Sequence, residues 1–356
     1  MFTSARAVLE EARATSAFPA AVCEVGHAGG PVWTEAFGHL TYASDSEETS
    51  TATPFDLASL TKVIATSSIA MSLMRSGMLR TDTAVSDVLT DWRGTDRESV
   101  TVGHLLDHSS GLPAHLRFPS TVATKEEARE WLLTVPLERL VGAASVYSDV
   151  GFMLLGFLLE TVAGRSLDTH WDRLWESRPD ARNSMVSLGY KPDAAERHLI
   201  APTEFDAARG GLIQGTVHDE NAATLGGVAA HAGLFGTASA VGVFAAWVLR
   251  SFRETTWLTS PELMQTFATR RQVPGSSRAL GWDTMLPSSS CGTRMSPTAI
   301  GHTGFTGTSL WIDWERDRYV VLLTNRVYPT RDNERFLPYR SKFHDAVAED
   351  LSGTRN

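Results

Sequence analysis

Cysteine, lysine and long apolar runs are scarce in this sequence of 356 residues. Its two cysteines, Cys23 and Cys291, fit neither a metal-binding spacing nor a disulfide framework, so we expect free thiols. A formal net charge of −9 argues against nucleic acid or an anionic membrane surface as a partner. Residues 1–6 lack the basic-then-apolar order of a signal peptide, and no apolar run is long enough to span a bilayer. The sequence therefore predicts a cytoplasmic protein without a membrane anchor.

Several catalytic signatures are also missing. The motifs Gly-x-Ser-x-Gly, His-Glu-x-x-His and Gly-x-Gly-x-x-Gly do not occur, which excludes α/β-hydrolase, zincin and dinucleotide-binding interpretations. A metal site formed by His218, Asp219 and His231 has no recognised ligand spacing. We expect these polar side chains to fix a glycine-rich loop instead, and we predict neither a metal nor a cofactor.

One of the few lysines lies in an unusual place. The chain has four of them, and only Lys62 follows a serine, Ser59, by three residues. The next residues, 63–74, are apolar on every face and predict a buried helix. A serine at its N-terminus would meet the positive end of the helix dipole, and a poorly hydrated lysine one turn later would have a depressed pKa and act as a base. The alternative is that Ser59 merely caps the helix and Lys62 extends its charged end to solvent. Arginine would fill that role of Lys62 equally well, but arginine cannot transfer a proton.

Patterning along the chain predicts an α+β fold. Strands at both ends predict an antiparallel sheet formed by the N- and C-terminal segments and flanked by helices, with a mostly helical domain inserted. We assign 1–76 and 240–356 to the α/β domain, and 77–239 to the helical domain with a glycine-rich loop at the site. The predicted elements are helices at 3–16, 59–76, 100–108, 125–134, 150–163, 167–175, 241–252 and 342–351, strands at 20–25, 31–37, 310–314 and 319–325, and a long loop at 210–236.

Two polar triplets follow the serine–lysine pair in chain order. Residues 147–149 read Tyr-Ser-Asp before an apolar helix, and residues 302–304 read His-Thr-Gly before a strand. With Ser59 and Lys62, they resemble the signature of the serine penicillin-recognising enzymes: class C β-lactamases, the related D,D-peptidases and family VIII carboxylesterases. The surroundings match as well, including 104–113, and the resemblance covers nearly the whole chain.

The resemblance implies a β-lactamase/transpeptidase-like fold and a set of roles. Ser59 would be the nucleophile that forms an acyl-enzyme, and Lys62 its partner in proton transfer. Tyr147 would protonate the leaving group. The backbone N–H groups of Ser59 and Phe305 would form the oxyanion hole.

Two departures from the family pattern concern the triplets. The third opens with His302 where most β-lactamases have lysine, and the second ends in Asp149 where asparagine is usual. An ionised aspartate cannot donate a hydrogen bond to a substrate amide. The resemblance places Asp149, His302, Thr303 and Gly304 in substrate binding, but both departures argue against an efficient β-lactamase.

The sequence thus predicts a serine hydrolase that acts on a small acyl amide, peptide or ester. We expect an amidase or peptidase on peptidoglycan-type fragments, either a D,D-peptidase or a muropeptide amidase. A family VIII-type carboxylesterase on small esters is the alternative. A weak β-lactamase or a non-catalytic penicillin-binding protein also remains open.

Overall fold

The computed structural model describes residues 2–181 and 187–353. Its strands, in chain order, are β1 (Ala20–His27), β2 (Gly30–Gly38), β3 (Phe55–Asp56), β4 (Leu188–Tyr190), β5 (Phe205–Asp206), β6 (Gly211–Leu212), β7 (Leu234–Gly236), β8 (Asp283–Thr284), β9 (Ile300–Thr303), β10 (Ser309–Asp313) and β11 (Arg318–Thr324). The α-helices are α1 (Thr3–Ala14), α2 (Ser67–Arg75), α3 (Val85–Val88), α4 (Val102–Leu106), α5 (Lys125–Thr134), α6 (Asp149–Ala163), α7 (Leu167–Glu176), α8 (Glu220–Thr224), α9 (Ala238–Ser251), α10 (Pro261–Ala268) and α11 (Leu337–Gly353). Short 3₁₀ turns lie at Thr90–Trp92, Ala194–Leu199, Ala207–Arg209 and Trp314–Arg316.

An antiparallel sheet joins the two ends of the chain. Its six strands run in the order β2-β1-β11-β10-β9-β8. The predicted hairpin of β1 and β2 is confirmed, with Val22 opposite Ala36 on one side and opposite Leu323 of β11 on the other. The α+β fold, with a sheet built from N- and C-terminal strands and flanked by helices, is therefore confirmed.

Both faces of β1 are buried, which its almost uninterrupted apolar sequence requires. Val22 faces the larger core, which lies under α9 and extends through α2 and α6. Ala21 and Cys23 face a smaller core formed with α1 and α11. The two cysteines are buried free thiols, as predicted.

The buried helix after Ser59 begins differently from the prediction. Lys62–Thr66 forms a π-helical turn, and the regular α2 follows it. The wider turn lets the Ser67 backbone N–H reach the carbonyl oxygen of Lys62, and the Ser67 hydroxyl donates to that same oxygen at 2.9 Å. Such single π-turns are rare and occur often at functional sites.

The glycine-rich segment 210–236 is not the continuous loop that we predicted. It contains β6, α8 and β7, and β7 is the middle strand of a small sheet with β3 and β4. Its strand pairing depends on partners distant in sequence, so local periodicity could not reveal it. Through β7 the segment is fixed against β3, which ends three residues before Ser59.

Among the described helices, no single one is long and apolar enough to cross a bilayer. Together, α6 and α7 have the length and apolar composition of a membrane span, but they are bent by 69° at their junction. Most of α6 is buried within the fold.

The division of the chain into an α/β domain, 1–76 with 240–356, and a helical domain, 77–239, stays a prediction.

Candidate active site

The turn that presents Ser59 is strained and firmly held. Ala58 has a φ of 47°, in the left-handed region that side chains other than glycine rarely adopt. Its N–H donates to Asp56 Oδ1 at 2.8 Å, and the N–H of His218 donates to Asp56 Oδ2 at 2.7 Å. The buried Asp56 carboxylate therefore ties the turn that contains Ala58 and Ser59 to the glycine-rich segment.

Ser59, Lys62 and Tyr147 meet as the sequence motifs predicted. Lys62 Nζ donates a hydrogen bond to Ser59 Oγ at 3.0 Å, and the Tyr147 hydroxyl donates to the same oxygen at 2.8 Å. The Lys62 ammonium lies 4.8 Å from the centre of the Tyr147 ring. Two donors on one serine oxygen favour an alkoxide at that atom.

Lys62 differs from the expected neutral base. Its side chain is fully buried, and its three hydrogens are directed to Ser59 Oγ, to Asp149 Oδ1 at 2.7 Å and to the carbonyl oxygen of His231 at 3.0 Å. Burial lowers the pKa of Lys62, but the Asp149 carboxylate and the Tyr147 phenol outweigh burial and raise it above the ordinary value. The prediction that the pKa of Lys62 is depressed is wrong. It did not include the ion pair with Asp149, which the sequence did not reveal.

Tyr147 is held from several sides. Ser148 caps α6 by accepting a hydrogen bond from Gly151, which places Tyr147 directly before the helix. The ring packs at 4.7 Å from the ring of His108, and the Arg278 guanidinium lies 5.0 Å from its centre. Burial raises the pKa of Tyr147, so its phenol carries its proton at neutral pH.

The predicted oxyanion hole lies between two well-anchored turns. Neither the Ser59 N–H nor the Phe305 N–H donates a hydrogen bond within the described residues. A Cβ at Gly304 would lie 2.7 Å from the Leu57 carbonyl oxygen, so a side chain there would push the two turns apart. Thr308 Oγ1 donates to that same carbonyl at 3.0 Å. The two free N–H groups can donate hydrogen bonds to a substrate oxygen, and their role as an oxyanion hole stays a proposal.

His302 does not line the cavity beside Ser59. Its side chain is buried, its Nδ1 lies 2.8 Å from the Thr303 carbonyl oxygen, and its Nε2 has no partner within the described residues. Burial, and then the charges of Arg278 and Lys62, hold the pKa of His302 well below its usual range. The imidazole is neutral and faces the Tyr147 ring at 5.7 Å, so this placement gives no support to the predicted substrate contact. Thr303, in β9, is only partly exposed and also does not line the cavity.

A cavity of about 310 Å³ opens over Ser59 and Tyr147. Asp149, predicted to bind substrate, lines it, but its Oδ1 is paired with Lys62 and its Oδ2 faces His115 Nδ1 at 3.5 Å. Burial raises the pKa of Asp149, but Lys62 and His115 hold it well below the ordinary range. The carboxylate is ionised and connects the buried lysine to a half-exposed histidine.

The opposite wall carries a second charged cluster. His218 Nε2 lies 2.8 Å from Glu204 Oε2, and Arg331 pairs with Glu204 and, at 2.8 Å, with Glu220. His231 Nε2 lies 2.8 Å from Asp219 Oδ1. No group of three or more histidine, cysteine or acidic side chains in the described chain could hold a metal ion.

Sequence reasoning missed several of these residues. Asp56, His115 and Arg331 belong to no motif. Asp56 lies three residues before Ser59 and His115 two residues after the Gly-Leu-Pro run that carried part of the resemblance, so their positions were the available signals. Arg331 reaches the site through the fold alone.

The sequence profile of the family described as Beta-lactamase matches residues 5–341. The chain belongs to the β-lactamase family. Within the family, it is 30% identical over 352 residues to the "N-acetylmuramyl-L-alanine amidase" of Bacillus subtilis (strain 168), covering 89% of this chain and 79% of the relative. It is 31% identical over 320 residues to a protein of Escherichia coli O157:H7 named "Putative D-alanyl-D-alanine carboxypeptidase", covering 80% of this chain and 72% of the relative.

Solved structures share the β-lactamase-family fold. A penicillin-binding protein homologue from Caulobacter crescentus superposes with a TM-score of 0.77 at 19% identity, over 98% of this chain and 97% of the other. EstCE1, described as a hydrolase with promiscuous acyltransferase activity, has a TM-score of 0.76 at 20% identity, over 97% of both chains. The predicted resemblance is confirmed, and this protein is a serine hydrolase of the β-lactamase family.

Proposed function

We propose that this hydrolase cleaves an amide bond in a peptidoglycan-type fragment through an acyl-enzyme on Ser59. The observation that carries the proposal is the pair of hydrogen bonds donated to Ser59 Oγ by Lys62 and Tyr147. This oxygen borders a cavity of about 310 Å³, a size suited to a small acyl group. The names of the amidase and carboxypeptidase relatives support a cell-wall amide as the substrate class.

In the proposed acylation, Ser59 Oγ attacks the substrate carbonyl carbon, and the oxyanion accepts hydrogen bonds from the free N–H groups of Ser59 and Phe305. Tyr147 takes the serine proton on its hydroxyl oxygen while passing its own hydrogen to the leaving group. The Lys62 ammonium keeps its proton and stabilises negative charge on both oxygens. This course agrees with raised pKa values for both Lys62 and Tyr147.

Charge at the cavity favours an amidase over a carboxypeptidase. A carboxypeptidase substrate carries a carboxylate next to the bond that breaks, so it needs a cation nearby. His302 is buried and neutral, and Arg331 is the only lysine or arginine lining the cavity in the described part of the chain. Arg331 is already paired with Glu204 and Glu220. An amide without an adjacent terminal carboxylate suits this site better.

A carboxylesterase is the second candidate, and Asp149 is the observation that favours it. Both carboxylate oxygens face protein partners, and neither can donate a hydrogen bond to a substrate amide. An ester substrate requires no such donor.

The nucleophile is tested by intact mass after incubation with a fluorophosphonate. We expect one adduct, mapped to Ser59, and no adduct on Ser59→Ala. Ser72→Ala is the matched control, because Ser72 is also partly buried and lies on α2 away from the cavity. An adduct that persists in Ser59→Ala would overturn the assignment.

The substrate class is tested by comparing kcat/KM for muramyl peptides, D-alanyl-D-alanine peptides, nitrocefin and p-nitrophenyl acyl esters. We expect the muramyl amide to exceed the D-alanyl-D-alanine peptide and nitrocefin by at least about tenfold, which corresponds to about 1.4 kcal/mol of transition-state binding. Turnover of short-chain esters alone would replace the amidase with the carboxylesterase.

A further inference from the structure

The peptide bond between Gly304 and Phe305 carries one of the two proposed oxyanion donors. Its N–H belongs to Phe305 and donates no hydrogen bond within the described residues. Its carbonyl oxygen accepts two hydrogen bonds, from the Gly307 N–H at 3.1 Å and from Arg340 Nη2 at 3.2 Å. The bond is trans, so its carbonyl and its N–H point in opposite directions. The Arg340 guanidinium therefore lies behind the peptide, on the side opposite the free N–H.

The turn that begins at Gly304 packs directly against the chain before the nucleophile. A Cβ at Gly304 would lie 3.1 Å from the Cβ atom of Ala58, the residue that precedes Ser59. Phe305 and Ser59, the residues that follow these two positions, both line the cavity. A side chain that acts on the peptide between Gly304 and Phe305 therefore acts on the wall of the site.

Arg340 is a buried cation without a carboxylate partner. It belongs to α11 and is only 8% exposed, and no carboxylate of the described residues forms an ion pair with it. Its Nε has no hydrogen-bond partner among those residues, and its guanidinium lies 5.3 Å from the centre of the Phe336 ring. Burial, and then the charge of Arg326, lower the pKa of Arg340 to about 10, so the side chain is charged at neutral pH. An unpaired buried charge is costly, which calls for a reason to keep it.

Arg326 brings a second positive charge to the same turn. It is buried, and its guanidinium lies 4.9 Å from the centre of the Phe305 ring. Its Nη1 donates to two backbone carbonyl oxygens, and Glu334 opposes part of its charge without a direct ion pair. Arg326 and Arg340 repel each other in the free enzyme. A negative charge that develops at the Phe305 N–H would attract both.

We propose that Arg340 is a positioning residue for the oxyanion hole. Its hydrogen bond fixes the Gly304 carbonyl and polarises the peptide, so the Phe305 N–H becomes a stronger donor to the oxyanion. The guanidinium charge acts in the same sense, because it attracts the negative charge that forms on the substrate oxygen. The proposal rests on the acyl-enzyme and the oxyanion hole of the proposed function.

A purely structural role for Arg340 predicts a different outcome for its replacement by methionine. Without the guanidinium, the Gly304 carbonyl still accepts the hydrogen bond from Gly307, so no buried acceptor is left unsatisfied. The replacement also removes a buried charge that has no partner, and a hydrophobic side chain of similar length can take its place at little or no cost. The catalytic role therefore predicts lost turnover in a protein that is as stable as the wild type.

The test is the turnover of p-nitrophenyl acetate by Arg340→Met. We expect kcat to fall by about tenfold or more, since loss of a whole oxyanion donor costs about 10²- to 10³-fold and Arg340 acts through one donor. KM should stay within about twofold of the wild-type value, because acylation and deacylation both pass through an oxyanion and slow together. The thermal unfolding midpoint should not fall. Arg340→Lys keeps the positive charge and should lose less turnover than Arg340→Met.

Lys342→Met is the matched control. Lys342 is a cation on the same helix, and its ammonium also lies beside an aromatic ring, 5.1 Å from the centre of Tyr339. It is exposed and does not line the cavity. The control changes the net charge of the protein by the same amount, and it should match the wild type in both kcat and KM.

The remaining outcomes overturn the proposal in distinguishable ways. A kcat of Arg340→Met within about twofold of the wild-type value would exclude the role. A raised KM with a lower unfolding midpoint, or failure of both Arg340 variants to fold, would make the residue structural. Equal losses in Arg340→Lys and Arg340→Met would contradict the contribution of the charge. If fluorophosphonate does not label wild-type Ser59, the proposed function fails; if it does, and Arg340→Met turns over normally, only this inference fails.

Discussion

Asp149 sets the protonation of the whole cluster. It is the partner that keeps a fully buried lysine charged, and it is also the partner of the half-exposed His115. Asparagine in its place could accept a hydrogen bond but could not balance the ammonium charge. The charge state of Lys62 therefore depends above all on the Asp149 carboxylate.

We expect Asp149→Asn to lower the free energy of unfolding by about 3 to 5 kcal/mol at pH 7, because it leaves a buried charge without its partner. Without the carboxylate, burial should depress the pKa of Lys62 below its unfolded value. The unfolded state then binds more protons, so the stability of the variant should rise as the pH increases from 7 to 10. In the wild type the pKa is raised, so the ion pair's contribution persists until the pH exceeds the unfolded lysine pKa. Denaturant unfolding across this pH range is the measurement.

His115→Gln is the matched control for that prediction. It removes the other partner of Asp149 and leaves the ion pair with Lys62 intact. The control should lose far less stability and show no rise toward pH 10. If Asp149→Asn loses less than about 1 kcal/mol and shows no pH trend, the ion pair is not what stabilises the charged lysine.

At this scale, the sequence predicted which groups meet but not their environment. Ser59, Lys62 and Tyr147 come together because each begins or precedes a buried helix, which patterning can reveal. The depth of His302 depends on how β9 packs, and the pKa of Lys62 depends on a partner 87 residues away. The spacing of motifs along the chain reveals neither the burial of His302 nor the pKa of Lys62.

At the scale of elements, α9 approaches the main sheet closely. A Cβ at Gly242 would lie 1.7 Å from Glu24 Oε1. That carboxylate is buried in β1 and cannot easily move, because it accepts hydrogen bonds from Ser239 at 2.8 Å, Tyr319 at 2.9 Å and Thr34 at 3.1 Å. A glycine in the helix therefore makes room for a buried carboxylate in the strand.

Gly242→Ala should lower the free energy of unfolding by about 1 to 3 kcal/mol, because overpacking outweighs the better helix propensity of alanine. Thermal or denaturant unfolding measures the loss. Gly353→Ala is the control, since nothing lies within 4 Å of that position in α11. Equal stabilities of the two variants would show that α9 can shift away from the sheet freely.

Most long elements were predictable, and several short ones were not. The hairpin of β1 and β2, α5, α6 and α9 follow from local periodicity and turn residues. The two-residue β3 exists because it pairs with β7, and the three-residue β7 because it pairs with both β3 and β4, so no local pattern specifies them. Helix α10 and strands β8 and β9 were not predicted either.

At the scale of the molecule, the larger hydrophobic core crosses the predicted domain boundary. It contains Val22 and Leu323 of the sheet together with Leu106 and Leu154 of the helical region. Elements that share one core generally unfold together. The cavity also draws on both regions, since Phe305 and Tyr147 both line it.

We therefore expect a single thermal transition by calorimetry. Loss of far-ultraviolet circular dichroism and loss of fluorophosphonate labelling at Ser59 should coincide. The Ser59→Ala variant should show the same circular dichroism transition, which excludes an effect of the label. Two separated calorimetric transitions would instead mean that 77–239 forms an independently stable domain.

The position of β1 between β2 and β11 has a consequence for biosynthesis. The ribosome releases Ser59, Lys62 and Tyr147 before β11, so β1 lacks one of its two neighbouring strands while these residues emerge. The turn with Phe305 also follows them, and Thr306 and Thr308 anchor it to the carbonyl oxygens of Asp56 and Leu57. A nascent chain thus carries Ser59 before the proposed oxyanion donor at Phe305 exists, and we expect hydrolysis only after β11 has joined the sheet.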